Sequence, residues 1–121
     1  MTYVHKIFLL AFLLVLFLCP SQVIAENEIL NIRYWSAPDH TRVVIDVSDD
    51  VSYKIERVDK KLFIDFKDTD VSEDFPEELI LKKPGIDKIM VIPLPEGSLR
   101  VELLIDENVE PNVFNIRKIQ D

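Results

Sequence analysis

The chain has 121 residues, 48% of them hydrophobic and 30% charged, with 14 Lys and Arg against 22 Asp and Glu for a net charge of −8. That acidic balance argues against nucleic acid and anionic lipid as the main ligand, since both call for a basic face. The length allows one small domain and leaves no room for two.

The first 25 residues read as an export signal. His5 and Lys6 are followed by an apolar run from Ile7 to Leu18, then by Cys19-Pro20-Ser21-Gln22-Val23-Ile24-Ala25 and the first acidic residue, Glu26. This is the order of a secretory signal peptide, with cleavage expected after Ala25. The apolar run falls short of the roughly 18 to 20 residues that span a bilayer, so no stable membrane anchor is expected. Cys19 would serve as a lipid acceptor only after small residues, and Phe17 and Leu18 precede it. The expected domain is therefore 26–121, with thirteen basic and twenty-two acidic residues, a net charge of −9 and no cysteine. Such a domain has no disulfide and must rest on its apolar core or on a partner.

Alternation defines the strands. In Arg42-Val43-Val44-Ile45-Asp46-Val47, the apolar Val43, Ile45 and Val47 share one face while Arg42 and Asp46 occupy the other. Leu62 to Phe66 and Arg100 to Asp106 repeat the pattern, and clusters such as Ser48-Asp49-Asp50 and Pro95-Glu96-Gly97 separate the runs. Strands are predicted near 29–35, 42–48, 51–57, 62–67, 86–93, 99–105 and 112–119. Glu73 to Leu81, interrupted by Pro76, is expected to be an irregular crossover with at most one helical turn.

The two halves also resemble each other at an offset of about 57 residues. Ile29, Ile32, Pro38, Asp39 and Thr41 match Ile86, Ile89, Pro95, Glu96 and Ser98. One residue of slip later, Arg42, Val43, Ile45 and Val47 match Arg100, Val101, Leu103 and Ile105. This points to an internal duplication in which each half forms one small sheet, the two similar sheets stacking as an all-β sandwich.

Catalytic constellations are absent from this reading. His40 is the single histidine after the leader, which leaves no ligand set for a hydrolytic zinc site. Gly85 and Gly97 are the only glycines, and neither sits in a nucleophile turn. The acidic pairs Asp49-Asp50, Glu73-Asp74 and Glu77-Glu78 read as solvated, and Asp68-Thr69-Asp70 lacks the remaining ligands of a calcium loop. No enzyme, metal or cofactor is expected. Recognition is assigned to Tyr34, Trp35, His40 and Arg42 around the turn from Ser36 to Thr41, since aromatic faces stack on sugars and a guanidinium pairs with carboxylates. Two structural readings compete: Trp35 as a core residue closing one end of the sandwich, and Arg42 as the ion-pair partner of Asp46.

The segment Ile32-Arg33-Tyr34-Trp35-Ser36-Ala37-Pro38-Asp39-His40-Thr41-Arg42-Val43-Val44-Ile45-Asp46-Val47 resembles an AMIN domain, as do Lys61-Leu62-Phe63-Ile64-Asp65-Phe66 and Leu99-Arg100-Val101-Glu102-Leu103. AMIN domains are the non-catalytic modules of exported N-acetylmuramoyl-L-alanine amidases and some secretins. The resemblance implies a two-sheet sandwich, a periplasmic location, and a targeting role in which peptidoglycan or a septal partner is bound. Of the ligand-contacting residues it implies, Arg42 is the best single candidate. The zinc amidase domain of the common architecture has no counterpart in these residues. That leaves a stand-alone cell-wall module, the N-terminal part of a longer amidase, or an adaptor that docks on an amidase, secretin or division protein by strand addition.

Overall fold

The computed structural model describes residues 2–17 and 25–115. Helix α1, Thr2–Phe17, covers the first part of the expected leader, and no helix among the described residues is long and apolar enough to cross a membrane. Residues 18–24, including Cys19, lie outside the described residues.

Eight strands follow: β1 (Asn27–Ser36), β2 (Thr41–Val47), β3 (Tyr53–Val58), β4 (Lys61–Phe66), β5 (Thr69–Val71), β6 (Glu78–Lys83), β7 (Ile86–Pro93) and β8 (Leu99–Ile105). They form a three-stranded sheet in the order β2-β1-β5 and a five-stranded sheet in the order β3-β4-β8-β7-β6. The fold is the expected all-β sandwich. Its core draws Ile29 and Ile32 from β1, Leu62, Ile64 and Phe66 from β4, and Ile86, Ile89 and Val91 from β7. Leu99, Val101, Leu103 and Ile105 of β8 complete its centre, and Val43, Ile45 and Val47 of β2 pack against it.

The duplication is visible as two hairpins of matching register. In the first, Ile29 pairs with Val47, Ile32 with Ile45 and Trp35 with Arg42. In the second, the counterparts pair likewise: Ile86 with Ile105, Ile89 with Leu103 and Ile92 with Arg100. Each carries its register shift at the same place, between Ile29 and Asn31 and between Ile86 and Lys88. The bulge explains why Ile29 and Ile32 both face inward although three residues apart. The halves are not divided one per sheet, however. β4 of the first half pairs with β8 of the second and carries β3 on its other edge, so the sheets are unequal in size. β4 takes its hydrogen-bonding edge on β8, where Leu62 and Ile64 complete the buried face.

Three further differences from the sequence reading have local causes. β6 replaces the expected crossover at its C-terminal end: Leu79 packs on the core, Ile80 is 64% exposed and Leu81 is buried. Glu, Leu and Lys favour helices, but pairing with β7 overrides that weak preference. β5 has only three residues, too few for a periodicity, and runs parallel to β1. Of the expected strand 112–119, residues 112–115 are irregular and the rest lie outside the described residues. The chain after β8 is instead fastened by Arg57, whose guanidinium donates to the carbonyls of Val109, Asp106 and Glu107 and, through Nε, to that of Asp59. The β6–β7 connection is Pro84-Gly85, with Gly85 at φ +82°, the left-handed position that the second central residue of a type II turn requires.

Candidate functional site

The β1–β2 hairpin positions all four sequence candidates. Its tip is a closed turn: the Ala37 amide donates to the His40 carbonyl (2.8 Å), and Ser36 and Thr41 face each other as the last strand pair. The Thr41 hydroxyl donates to the carbonyl of Pro84 (2.7 Å), so its oxygen accepts from Ser36 at 3.1 Å. The tip is thereby tied to the β6–β7 turn of the other sheet.

Strand alternation then separates the candidates. Ile32 faces the core, so Tyr34 two residues later shares its face and is 41% exposed at the end of the sandwich. Trp35 points to the outer face of the three-stranded sheet and is 52% exposed, which overturns the reading of this tryptophan as a core residue. Arg42 lies directly opposite Trp35 on the same outer face. His40 stands in the turn, its ring donating to Asp39 at 2.8 Å. That bond, more than any other interaction, holds the Asp39 carboxyl below its ordinary range. The hairpin thus joins Trp35 and Arg42 on one face, with His40 at the tip and Tyr34 on the opposite face.

One residue of this face was missed by the sequence reading. Arg33 alternates with Trp35 on β1, and its guanidinium carbon sits 5.4 Å from the centre of the Trp35 ring. The same guanidinium makes a two-pronged pair with Asp46, at 2.7 and 2.9 Å. Asp46 is therefore engaged by Arg33, not by Arg42 as the competing reading had it. Among the described residues no carboxylate pairs with Arg42. The available signal was the spacing: Arg33 is two residues before Trp35, and Asp46 lies on the same face of the adjacent strand. Among the described residues, no group of three or more His, Cys, Asp or Glu side chains could hold a metal ion.

A family model described as the AMIN domain matches residues 31–121. The chain belongs to the AMIN-domain family. Neither a curated protein nor a solved structure matches it. AMIN domains are non-catalytic modules, and the family provides the peptidoglycan-binding or targeting part of amidases and secretins.

Within this AMIN domain the second hairpin supplies an internal contrast. Arg100, the counterpart of Arg42, makes a two-pronged pair with Asp65 of β4 at 2.7 and 2.9 Å and lies 4.6 Å from the centre of the Phe63 ring. These hydrogen bonds, with smaller help from the charges of Arg100 and Lys54, outweigh desolvation and hold the Asp65 carboxyl below its ordinary range. A depressed native value means that the pair stabilises the fold fully above the unfolded carboxyl pKa of about 3.9. That contribution is lost as the pH falls through the lower native value. Both side chains are about 30% exposed, so solvent screens the pair in part. Arg100→Ala is expected to cost about 1–2 kcal/mol at pH 7, ring contact included. Urea midpoints at pH 7 and in acid check this: the variant's deficit should shrink in acid, and a deficit independent of pH would refute the assignment.

Proposed function

We propose that this AMIN domain is a non-catalytic envelope module that is exported to the periplasm, with its leader removed after Ala25, and binds peptidoglycan there. The observation that carries the reading is the outer face at the hairpin tip, where Trp35 is open to solvent beside Arg33 and opposite an Arg42 that no described carboxylate neutralises. Peptidoglycan offers the two complementary chemistries. Its sugar rings present C–H faces that stack on an indole, and its stem peptides carry free carboxylates that a guanidinium binds by charge-assisted hydrogen bonds. His40 lies at the tip beside this face, and Tyr34 flanks it from the other side of β1. Arg33 is held by Asp46 and serves as a platform that fixes the indole plane.

Co-sedimentation of the purified protein with protein-free sacculi tests the reading, because a module that docks only on other proteins stays in the supernatant. Trp35→Ala is expected to weaken sedimentation by about tenfold, the value of one aromatic stacking contact of roughly 1–1.5 kcal/mol. The melting temperature should hold, since an exposed ring leaves no cavity. Undiminished binding by Trp35→Ala would move the contact away from this face.

A further inference from the structure

The two hairpins match in sequence, register and bulge position, yet their flanks differ. β8 is covered along its outer edge by β4, whereas β2 ends its sheet, and no backbone hydrogen bond from another described segment reaches it. Sheet edges are commonly protected against strand addition by short length, charge or a bulge. β5 has three residues. β6 carries Lys82 and Lys83 at an irregularity where Lys82 adopts φ +49°. β3 carries three charged residues, Lys54, Glu56 and Arg57, among its six. β2 is seven residues long and five of them (Thr41, Val43, Val44, Ile45 and Val47) are β-branched, while its two charges, Arg42 and Asp46, are of opposite sign and four residues apart, so an antiparallel copy meets them as complements.

The strand beside β8 shows what fits such an edge. β4 runs antiparallel with Asp65 opposite Arg100, Ile64 opposite Val101 and Phe63 opposite Glu102. Its sequence Leu62-Phe63-Ile64-Asp65-Phe66 is a pattern of two apolar residues, Ile, Asp and a further apolar residue. β2 has the same pattern in Val43-Val44-Ile45-Asp46-Val47. We infer that the open edge of β2 receives β2 of a second copy of this chain, antiparallel and centred on Val44.

The register follows from that of β4 on β8. Transferring the Arg100–Asp65 pairing places Asp46 of the second copy opposite Arg42, and antiparallel geometry makes the contact reciprocal: Arg42 of the second copy meets Asp46 of the first. Val43 then faces Ile45 of the second copy, and Val44 faces its own equivalent on the two-fold axis. A self-complementary patch of this kind is what a closed two-fold dimer requires. Asp46 can serve two arginines. It is 35% exposed, and Arg33 takes one lone pair on each oxygen, leaving one on each for the second copy. The result is a continuous six-stranded sheet with both Trp35 faces on one side. Arg42 is then shared between wall carboxylates and the second copy, so pairing is measured without wall material, and its outcome does not depend on the peptidoglycan reading.

The test uses the purified exported protein. Val44→Cys should oxidise to a covalent dimer, because directly opposed antiparallel residues have Cα atoms about 4.5–5.5 Å apart, within disulfide range. Arg42→Cys should not, since the two copies of residue 42 lie about 14 Å apart in this register. Sedimentation equilibrium supplies the second reading. Arg42→Asp and Asp46→Arg should each weaken self-association by roughly tenfold to a hundredfold, as two cross-strand ion pairs turn repulsive. Mixing the two variants should restore pairing as a heterodimer. Cross-linking of Arg42→Cys as efficient as that of Val44→Cys would overturn the register. A wild-type monomer at high concentration with no cross-link at position 44 would overturn the dimer and leave the edge to a strand from another protein.

Discussion

Ile89→Ala is expected to destabilise the domain by about 2–5 kcal/mol, the largest loss for any single truncation considered. Ile89 is 0% exposed and lies in β7 between Leu79 of β6 and Leu103 of β8, so removing its side chain leaves a cavity that flanking strands on both sides prevent from collapsing. No internal disulfide stands behind this core, since the chain has a single cysteine, Cys19, and among the described residues no group of three or more His, Cys, Asp or Glu side chains could hold a metal ion. For a domain of this size each kcal/mol moves the melting temperature by roughly 4–8 °C, so a fall of more than about 10 °C is expected. Ile32, its counterpart in the first hairpin, is 8% exposed and sits over the narrower sheet, so Ile32→Ala should cost less. Chemical denaturation of both variants checks this. A loss below about 1 kcal/mol for Ile89→Ala would contradict the packing described.

The contrast between these two isoleucines also shows how far the sequence was legible. Alternation located β2, β4 and β8 within a residue of their bounds, because charged residues two or four apart (Arg42 and Asp46, Lys61 and Asp65, Arg100 and Glu102) mark one face of each while the other face is wholly apolar apart from Thr41. β6 was lost because Leu79-Ile80-Leu81 is a continuous apolar run whose middle residue turns out to solvent, an arrangement that no local pattern distinguishes from a helical segment. The repeat at an offset of about 57 residues was legible and corresponds to the two hairpins, whereas the expected division of one sheet to each half does not hold. Pairing within a hairpin is encoded by neighbouring residues, whereas the attachment of β4 to β8 joins positions 61–66 to 99–104 and depends on which distant edge is free.

The candidate site divides along the same line. That Trp35 and Arg42 belong together was legible, since both flank one turn. Their placement on the outer face follows from Ile32 facing inward, which the bulge at β1 obscures by breaking the alternation from Ile29 onward. Arg33 escaped notice because its importance comes from two contacts made in space, one with the ring of Trp35 and one across the sheet with Asp46.

Arg42→Ala is expected to weaken sacculus binding by about tenfold to a hundredfold while leaving the melt of the dilute protein unchanged. A charge-assisted contact between a guanidinium and a stem-peptide carboxylate contributes roughly 1.5–3 kcal/mol. The native fold draws nothing comparable from Arg42, since no described carboxylate pairs with it. Its counterpart is the control: Arg100 spends both prongs on Asp65 and its face on Phe63, so Arg100→Ala should lower the melt and leave binding per folded molecule intact. The two residues hold equivalent places in the repeat, and the difference between them is that β8 has a second neighbouring strand, β4, on its outer edge, whereas β2 pairs only with β1. Dilute conditions matter because self-pairing along β2 would give Arg42 a second partner and make the melt depend on concentration. Reversed behaviour, with Arg42→Ala lowering the melt at high dilution and binding unaltered, would show that this guanidinium belongs to the fold and that the wall contact lies on another surface of the domain.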